Sequence, residues 1–270
     1  MFVNIDGEGC RKICPLPHAQ LTNIEIDRKE VEKWDAYSCW DRYQEIQDQL
    51  SAEEAGLLLS LLLHISGGED DLKNSSLWDM VRSQALGSHD FANFGPVWLR
   101  YKLRGGQSEL ARKIFEDAVR NDLHYTFQTH VDLVQQEYNG FVLVRTRDGR
   151  TYVGRKVITT VPLNVLKSLK FDPPLSPLRQ EAIKIGHINR MAKIHAVVKG
   201  SGMASWNGVC YPNPLLYAYG DGILPNGDTH LVAFGADERH HFVPEREPQK
   251  VVEAFEQLHE MDVKKLVSFL

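Results

Sequence analysis

Cysteine is scarce in this chain, with four residues, at 10, 14, 39 and 210, among 270. That is too few for a disulfide-built scaffold and suits a reducing compartment. Long apolar runs are missing as well. The longest, Leu57 to Leu63, is interrupted by Ser60 and falls far short of the ~20 residues that span a bilayer. The first residues carry no basic, apolar, small-residue leader pattern, so the expectation is a soluble, intracellular, cytoplasmic chain with no membrane partner. Positive charge is not in excess. The formal net charge is −5 with acidic and basic residues interleaved, which makes no electrostatic footprint for nucleic acid. Four signatures are also absent: G-x-S-x-G, H-E-x-x-H, the phosphate-binding G-x-x-x-x-G-K-[ST] and the dinucleotide-binding G-x-G-x-x-G. No serine-hydrolase, zinc-protease or nucleotide site can be argued from motifs alone. Cys10, Cys14 and His18 lie close together without an evident fourth ligand, and His187, His195, His230, His240 and His241 fall on different segments without paired spacing. No metal is expected.

What is present is first helical. Residues 1 to 35 show no sustained period and read as an irregular arm. Asp41 opens a helical run to about Leu50, and Ser51 with Glu54 forms an S-x-x-E capping box before AGLLLSLLLHIS. Gly67-Gly68 stops that helix. Leu57, Leu58, Leu61, Leu62 and Ile65, at 3-4 spacing, are expected to form its buried stripe. Ser76 caps LWDMVRSQAL, which ends at Gly87 in the place a left-handed residue prefers. Trp98 to Leu103, the glycine pair Gly105-Gly106 and then ELARKIFEDAVRND read as strand, turn and helix. A glycine turn at a helix N-terminus can present backbone N–H groups to an anion, and it serves equally as a plain tight connection.

The stretch from Thr126 to Pro174 has the clearest punctuation. Asn139-Gly140 and Asp148-Gly149 supply the positive-φ positions of tight hairpins between β-rich runs, which predicts a three-stranded β-meander. Val157 to Val161, with nothing more polar than threonine, reads as a third strand covered on both faces and ending at Pro162. Ser176-Pro177 starts another helix. KIHAVV, GVCYP, LLYAYG and HLVAFG, separated by glycine, asparagine and proline turns, form a second β-rich region before the helical KVVEAFEQL and a closing segment that starts like a helix or a strand.

The order of these parts, KLRGGQSELA, then HVDLV in the meander, then VITTVPLNVLKSLKFDPPLSPLRQEAI, then GHINRMAKIHAVV and SWNGV, resembles the middle of the flavin-dependent amine oxidases, the family of monoamine and polyamine oxidases, L-amino-acid oxidases and flavin histone demethylases. The resemblance runs from about residue 34 onward. It implies an α+β fold: a mixed-sheet substrate lobe with a helical insert (1–97 and 176–270) and part of an FAD-binding lobe carrying the meander (98–175). It implies FAD as cofactor, a small-molecule amine as substrate, and hydride transfer from the amine's α-carbon to the flavin with reoxidation by oxygen. The family's N-terminal G-x-G-x-x-G unit and its glycine-rich C-terminal flavin segment have no counterpart in these 270 residues. A truncated, non-catalytic module, acting at most in binding or assembly, is therefore the alternative expectation. Carried over residue by residue, Lys193 in MAKIHAVV takes the place of the lysine that holds a water against flavin N5, and a different register of GHINR puts Arg190 there. A buried lysine there gains a lowered pKa that suits the role. Val131 in HVDLV takes the place of the valine whose main chain meets the adenine, or is simply an inward strand residue. Pro162 with Leu163 resembles the connection that returns from the cofactor lobe, and Gly105 and Gly106 are the remaining cofactor candidates.

Overall fold

A computed structural model describes residues 1–14, 27–93, 96–97, 100–137, 139–186, 191–235, 242–261 and 263–269. His18, Trp98, Leu99, His187, Arg190, His240 and His241 lie outside the described residues. The chain divides into two compact units, one made of Met1–Tyr101 with Asn189–Leu270 and the other of Lys102–Ile188.

The first unit opens with five helices: α1 (Arg28–Asp35), α2 (Cys39–Ile46), α3 (Ala52–Ser66), α4 (Glu69–Asn74) and α5 (Leu77–Leu86). Helix α1 was not expected. It forms because Asp27 caps it, accepting from the backbone N–H groups of Lys29 and Glu30, which offsets donors that otherwise lack partners. The capping boxes are closed at Ser38/Asp41 and at Ser51/Glu54, and Gly67 ends α3 with φ at +105°. Gly87 does not take the left-handed role expected of it. Its φ is −83°, and Ser88 and His89 adopt the positive φ instead.

The buried stripe of α3 is also offset from expectation. Leu59, Leu62 and Leu63 are buried, while Leu57 and Ile65 are half exposed. Ser60 explains the rotation: its side chain is fully buried and donates to the backbone carbonyl of Leu216. A buried hydroxyl needs such a partner, so the helix turns its serine inward and Leu57 outward. These residues, with Cys39, Ile46, Leu72, Leu77, Val81 and Ala85, make the first core.

The second unit contains α6 (Gly106–Arg120), β1 (Val131–Gln136), β2 (Val142–Thr146), β3 (Thr151–Gly154), β4 (Lys170–Asp172) and α7 (Pro177–Ile185). The meander turns at Gly140 and Gly149, both with positive φ. Its third strand is β3, not Val157–Val161. That stretch has no regular structure, and Ile158 is 90% exposed. An apolar run becomes a strand only where a neighbour accepts its ladder, and β4 takes the place beside β1 in parallel, giving the order β3-β2-β1-β4. Arg100–Leu103 is likewise irregular where a strand was expected.

The chain then re-enters the first unit with β5 (Ala192–Val198), β6 (Asn207–Val209), β7 (Tyr217–Ile223), β8 (Thr229–Gly235), α8 (Pro248–Leu258) and β9 (Val263–Phe269). The five strands pair in the order β6-β7-β8-β5-β9. Every pairing is antiparallel, so the mixed sheet is the small one of the second unit and not, as expected, this one. The overall class is α+β. Helix α8 lays Val251, Ala254 and Phe255 against Ile194, Ala196, Val198, Leu231 and Ala233 to form a second core. Leu215 belongs to this core and its neighbour Leu216 to the helical one, so two consecutive residues tie the cores together.

Candidate active site

The two faces of the five-stranded sheet are unlike. Alternation along β5 sends Ile194, Ala196 and Val198 into the core beneath α8 and leaves Lys193, His195 and Val197 half-buried on the other face. Strand β7 does the same, burying Ala218 and turning Tyr217 and Tyr219 to that second face. Register then assembles the face across strands, with Lys193 opposite Phe234 and Phe234 opposite Tyr217.

The result is a floor of rings. Tyr219 lies nearly parallel to Phe234 at 6.4 Å between centroids. Tyr217 is 5.7 Å from Tyr219. His64, from the last turn of α3, meets Tyr217 at 4.8 Å and Phe234 at 6.1 Å. The Lys193 ammonium sits 5.5 Å from the centre of the Phe234 ring, a cation–π contact that steadies its long stem. Burial pushes the Tyr217 and Tyr219 hydroxyls above their ordinary pKa and the His64 imidazole below its own. At neutral pH these three are uncharged, and Lys193 supplies the positive charge among them.

A polar row borders the rings. Nδ1 of His195 lies 2.9 Å from Nε2 of His230, the two ring planes being within 13° of parallel and their centroids 5.0 Å apart. Nδ1 of His230 lies 3.4 Å from Oδ2 of Asp221. Asp221 follows Tyr217 and Tyr219 on this face by the period-2 step of β7, and the bulge there sets Asp221 and Gly222 together opposite His230. In sequence the histidines fall on different segments without paired spacing. Two of them in fact share one face, and the period-2 step from Lys193 to His195 was the signal available for it.

The other singled-out residues lie in the second unit. Val131 begins β1, paired with Thr146 just before a bulge, and is about one-third exposed. Pro162 is exposed and its carbonyl accepts from the N–H groups of Val165 and Leu166, opening the turn that leads to β4. Gly105 precedes α6, a helix without a side-chain cap, but the Glu109 side chain folds over it: a Cβ at Gly105 would lie 2.6 Å from Glu109 Cγ. The Glu109 carboxylate is itself paired with Arg112 and Lys113. The aromatic floor and its lysine suit a flat ring with a polar edge, so these residues fit the flavin end of the cofactor. Among the described residues no group of three His, Cys, Asp or Glu side chains is arranged to hold a metal. Cys10 and Cys14 are buried in the first core, and burial pushes the Cys14 thiol up to about 11. Among the described residues no helix is long and apolar enough to cross a membrane.

Comparison with known proteins gives this geometry a context. Nicotine dehydrogenase of Pseudomonas putida (strain DSM 28022 / S16) is 30% identical over 115 residues, which is 43% of this chain and 23% of that protein. Pseudooxynicotine dehydrogenase of Pseudomonas sp is 26% identical over 164 residues, 60% of this chain and 32% of that one. In structure, wild-type putrescine oxidase bound to putrescine matches with a TM-score of 0.69 at 18% identity, covering 97% of this chain and 57% of that chain. Cyclohexylamine oxidase from Brevibacterium oxydans IH-35A matches at 0.64 and 12% identity, over 88% of this chain and 54% of that one. The matched region is thus about a quarter to a third of the curated relatives and somewhat over half of the solved ones. The family model described as flavin containing amine oxidoreductase matches residues 27–264, and the chain belongs to that family.

Proposed function

We propose that this chain forms the amine-binding part of an FAD-dependent amine oxidoreductase, with the substrate on the open face of the five-stranded sheet and Lys193 on the side of the flavin. One observation carries this reading: a single sheet has one face sealed by α8 and the other lined by a half-buried lysine and a continuous run of aromatic rings. Apolar walls with a few placed polar groups are what a small-molecule site requires. Flavin, when bound, supplies the hydride acceptor. The chain's own residues do the rest. Tyr217, Tyr219 and Phe234 offer π-faces to the carbon skeleton and cation of an amine, and the Lys193 ammonium offers N–H donors to a water at the ring's edge.

We assign residues 1–97 and 176–270 to the substrate lobe and 98–175 to part of the cofactor lobe, where Val131 serves through its main chain and Pro162 through the turn it opens. Gly105 and Gly106, in the turn that opens α6, are the remaining cofactor candidates of that lobe. Oxygen is the proposed electron acceptor. The relatives named above include both dehydrogenases and oxidases, so artificial acceptors belong in the same assay.

A second reading, a non-catalytic binding module, is favoured by one feature: among the described residues of the second unit only Thr146 is buried. The two readings separate on one experiment. The purified protein is offered FAD, and the visible flavin band is followed anaerobically as putrescine, cyclohexylamine or nicotine is added. Bleaching of a stoichiometric band by an amine supports the oxidoreductase. Failure to take up flavin, or a band that no amine bleaches, sinks it.

A further inference from the structure

The Asp221–His230–His195 row has no part in the family resemblance, and its geometry favours one arrangement of its protons. A carboxylate has no proton to give at neutral pH, so Asp221 favours the hydrogen on the nitrogen nearest it, Nδ1 of His230, 3.4 Å away. The other nitrogen of that neutral ring, Nε2, then carries a lone pair. At 2.9 Å from it, Nδ1 of His195 must supply the hydrogen. Nε2 of His195 is left as a bare acceptor, and it has no hydrogen-bond partner among the described residues. The His195 pKa is lowered first by partial burial, then by the adjoining His230 ring, since a second proton on the pair is disfavoured, and by the Lys193 ammonium, while Asp221 raises it. The outcome is a lone pair at the border of the aromatic floor, two residues from Lys193 on the same face of β5.

We propose that the Asp221–His230–His195 row is an amine-recognition element, in which Nε2 of His195 accepts a hydrogen bond from an N–H of the ligand's ammonium. This rests on the reading of the open face as an amine site. It selects primary and secondary ammonium groups, which have an N–H to donate, over quaternary ones, which have none. The charged and titratable groups facing His195 are Lys193 on its own strand, His230 on β8 and Asp221 on β7. Beyond the rings, His64 approaches from α3, and Lys265 stands opposite Val197 in the register of β9. Lys193 opposes a second cation and the Asp221 carboxylate offsets it, so the net preference falls to the hydrogen bond.

Two probes test this on the purified chain, benzylamine and benzyltrimethylammonium, by titration calorimetry from pH 5 to 8. Both present a ring to the aromatic floor, and only benzylamine has N–H groups. His195 accepts only when neutral, and its pKa lies below the ordinary 6.5. Benzylamine affinity is therefore expected to be flat above about pH 6.5 and to weaken as pH falls through the lower value. His195→Phe is expected to weaken benzylamine about tenfold at pH 7.5 and abolish the acid-side loss. His195→Gln, whose amide oxygen can accept but not titrate, is expected to keep most of the affinity while losing the pH dependence. Benzyltrimethylammonium binding at pH 7.5 is expected to be unchanged in both variants, which also shows that they are folded. If His195→Phe leaves benzylamine affinity and its pH profile as they were, or if both probes weaken equally, the recognition role is overturned while the amine reading stands. If neither probe binds the unaltered chain, the amine reading of the face falls, and this inference falls with it.

Discussion

Phe255 is the side chain on which the two-faced character of the sheet depends most directly. It is fully buried on α8, in the core that also holds Ile194, Ala196, Leu231 and Ala233, so truncation to alanine removes the ring's transfer free energy and leaves a cavity. Phenylalanine-to-alanine changes of this kind cost ~3–5 kcal/mol, a large share of the ~5–15 kcal/mol that holds a typical domain folded. For a unit of this size each kcal/mol lowers the melting temperature by ~2–4 °C, so Phe255→Ala is expected to lower it by about 6–20 °C. Ile158→Ala serves as the counterpart. Ile158 is 90% exposed, and its truncation is expected to change stability by less than ~0.5 kcal/mol. Urea unfolding followed by circular dichroism measures both. A Phe255→Ala cost below ~1 kcal/mol would refute the account of α8 as the seal on the lower face. An Ile158→Ala cost of core size would show that the apolar surface of the second unit is covered in the protein as it exists.

Lys193→Met, in the flavin-loaded protein, is expected to leave the visible spectrum intact and slow reoxidation by oxygen ~10²–10⁴-fold; an unchanged rate by stopped flow, with a large drop for Arg190→Met, assigns the flavin-facing place to Arg190. His64 has its pKa lowered chiefly by burial from the ordinary 6.5, so the unfolded chain binds its proton first. Stability is expected to fall as pH drops from 6.5 to the lower folded value and to level off below it, and His64→Phe is expected to flatten that slope; a slope unaltered in urea titrations at pH 5 to 7 counts against it. Gly235→Ala is expected to destabilise by at least ~2 kcal/mol, because its Cβ would lie 1.8 Å from the Pro214 carbonyl oxygen and backbone cannot yield as a flexible side chain can; thermal melting within a degree or two of the unaltered chain would be the contrary result.

Local chemistry was legible in the sequence and pairing was not. Ser51 with Glu54, Gly67, Ser76, Gly140 and Gly149 each act through bonds or dihedrals within a few residues, and each does in the structure what its neighbours in sequence imply. Val157–Val161 failed because strand formation depends on a partner, and β4 holds the place beside β1. The α3 stripe failed for a similar reason. Periodicity fixes that a helix has an apolar face but not its rotation, which here is set by Ser60 reaching the carbonyl of Leu216, 156 residues away.

The candidate site shows the same limit at a finer scale. Lys193 was legible through family resemblance, and His195 could be read from it by the alternation of a strand. His230 and Asp221 could not, because their place beside His195 is decided by the register of β5 on β8 and of β7 on β8. The bulge in β7 gives His230 two residues to face, Asp221 and Gly222, where regular pairing beyond Gly220 would give it Asp221 alone. Gly222 takes φ +128° at the bulge, a conformation that costs a residue with a Cβ far more. Gly222 therefore admits the bulge beside His230, while the alternation of β7 is what sets Asp221 on the same face.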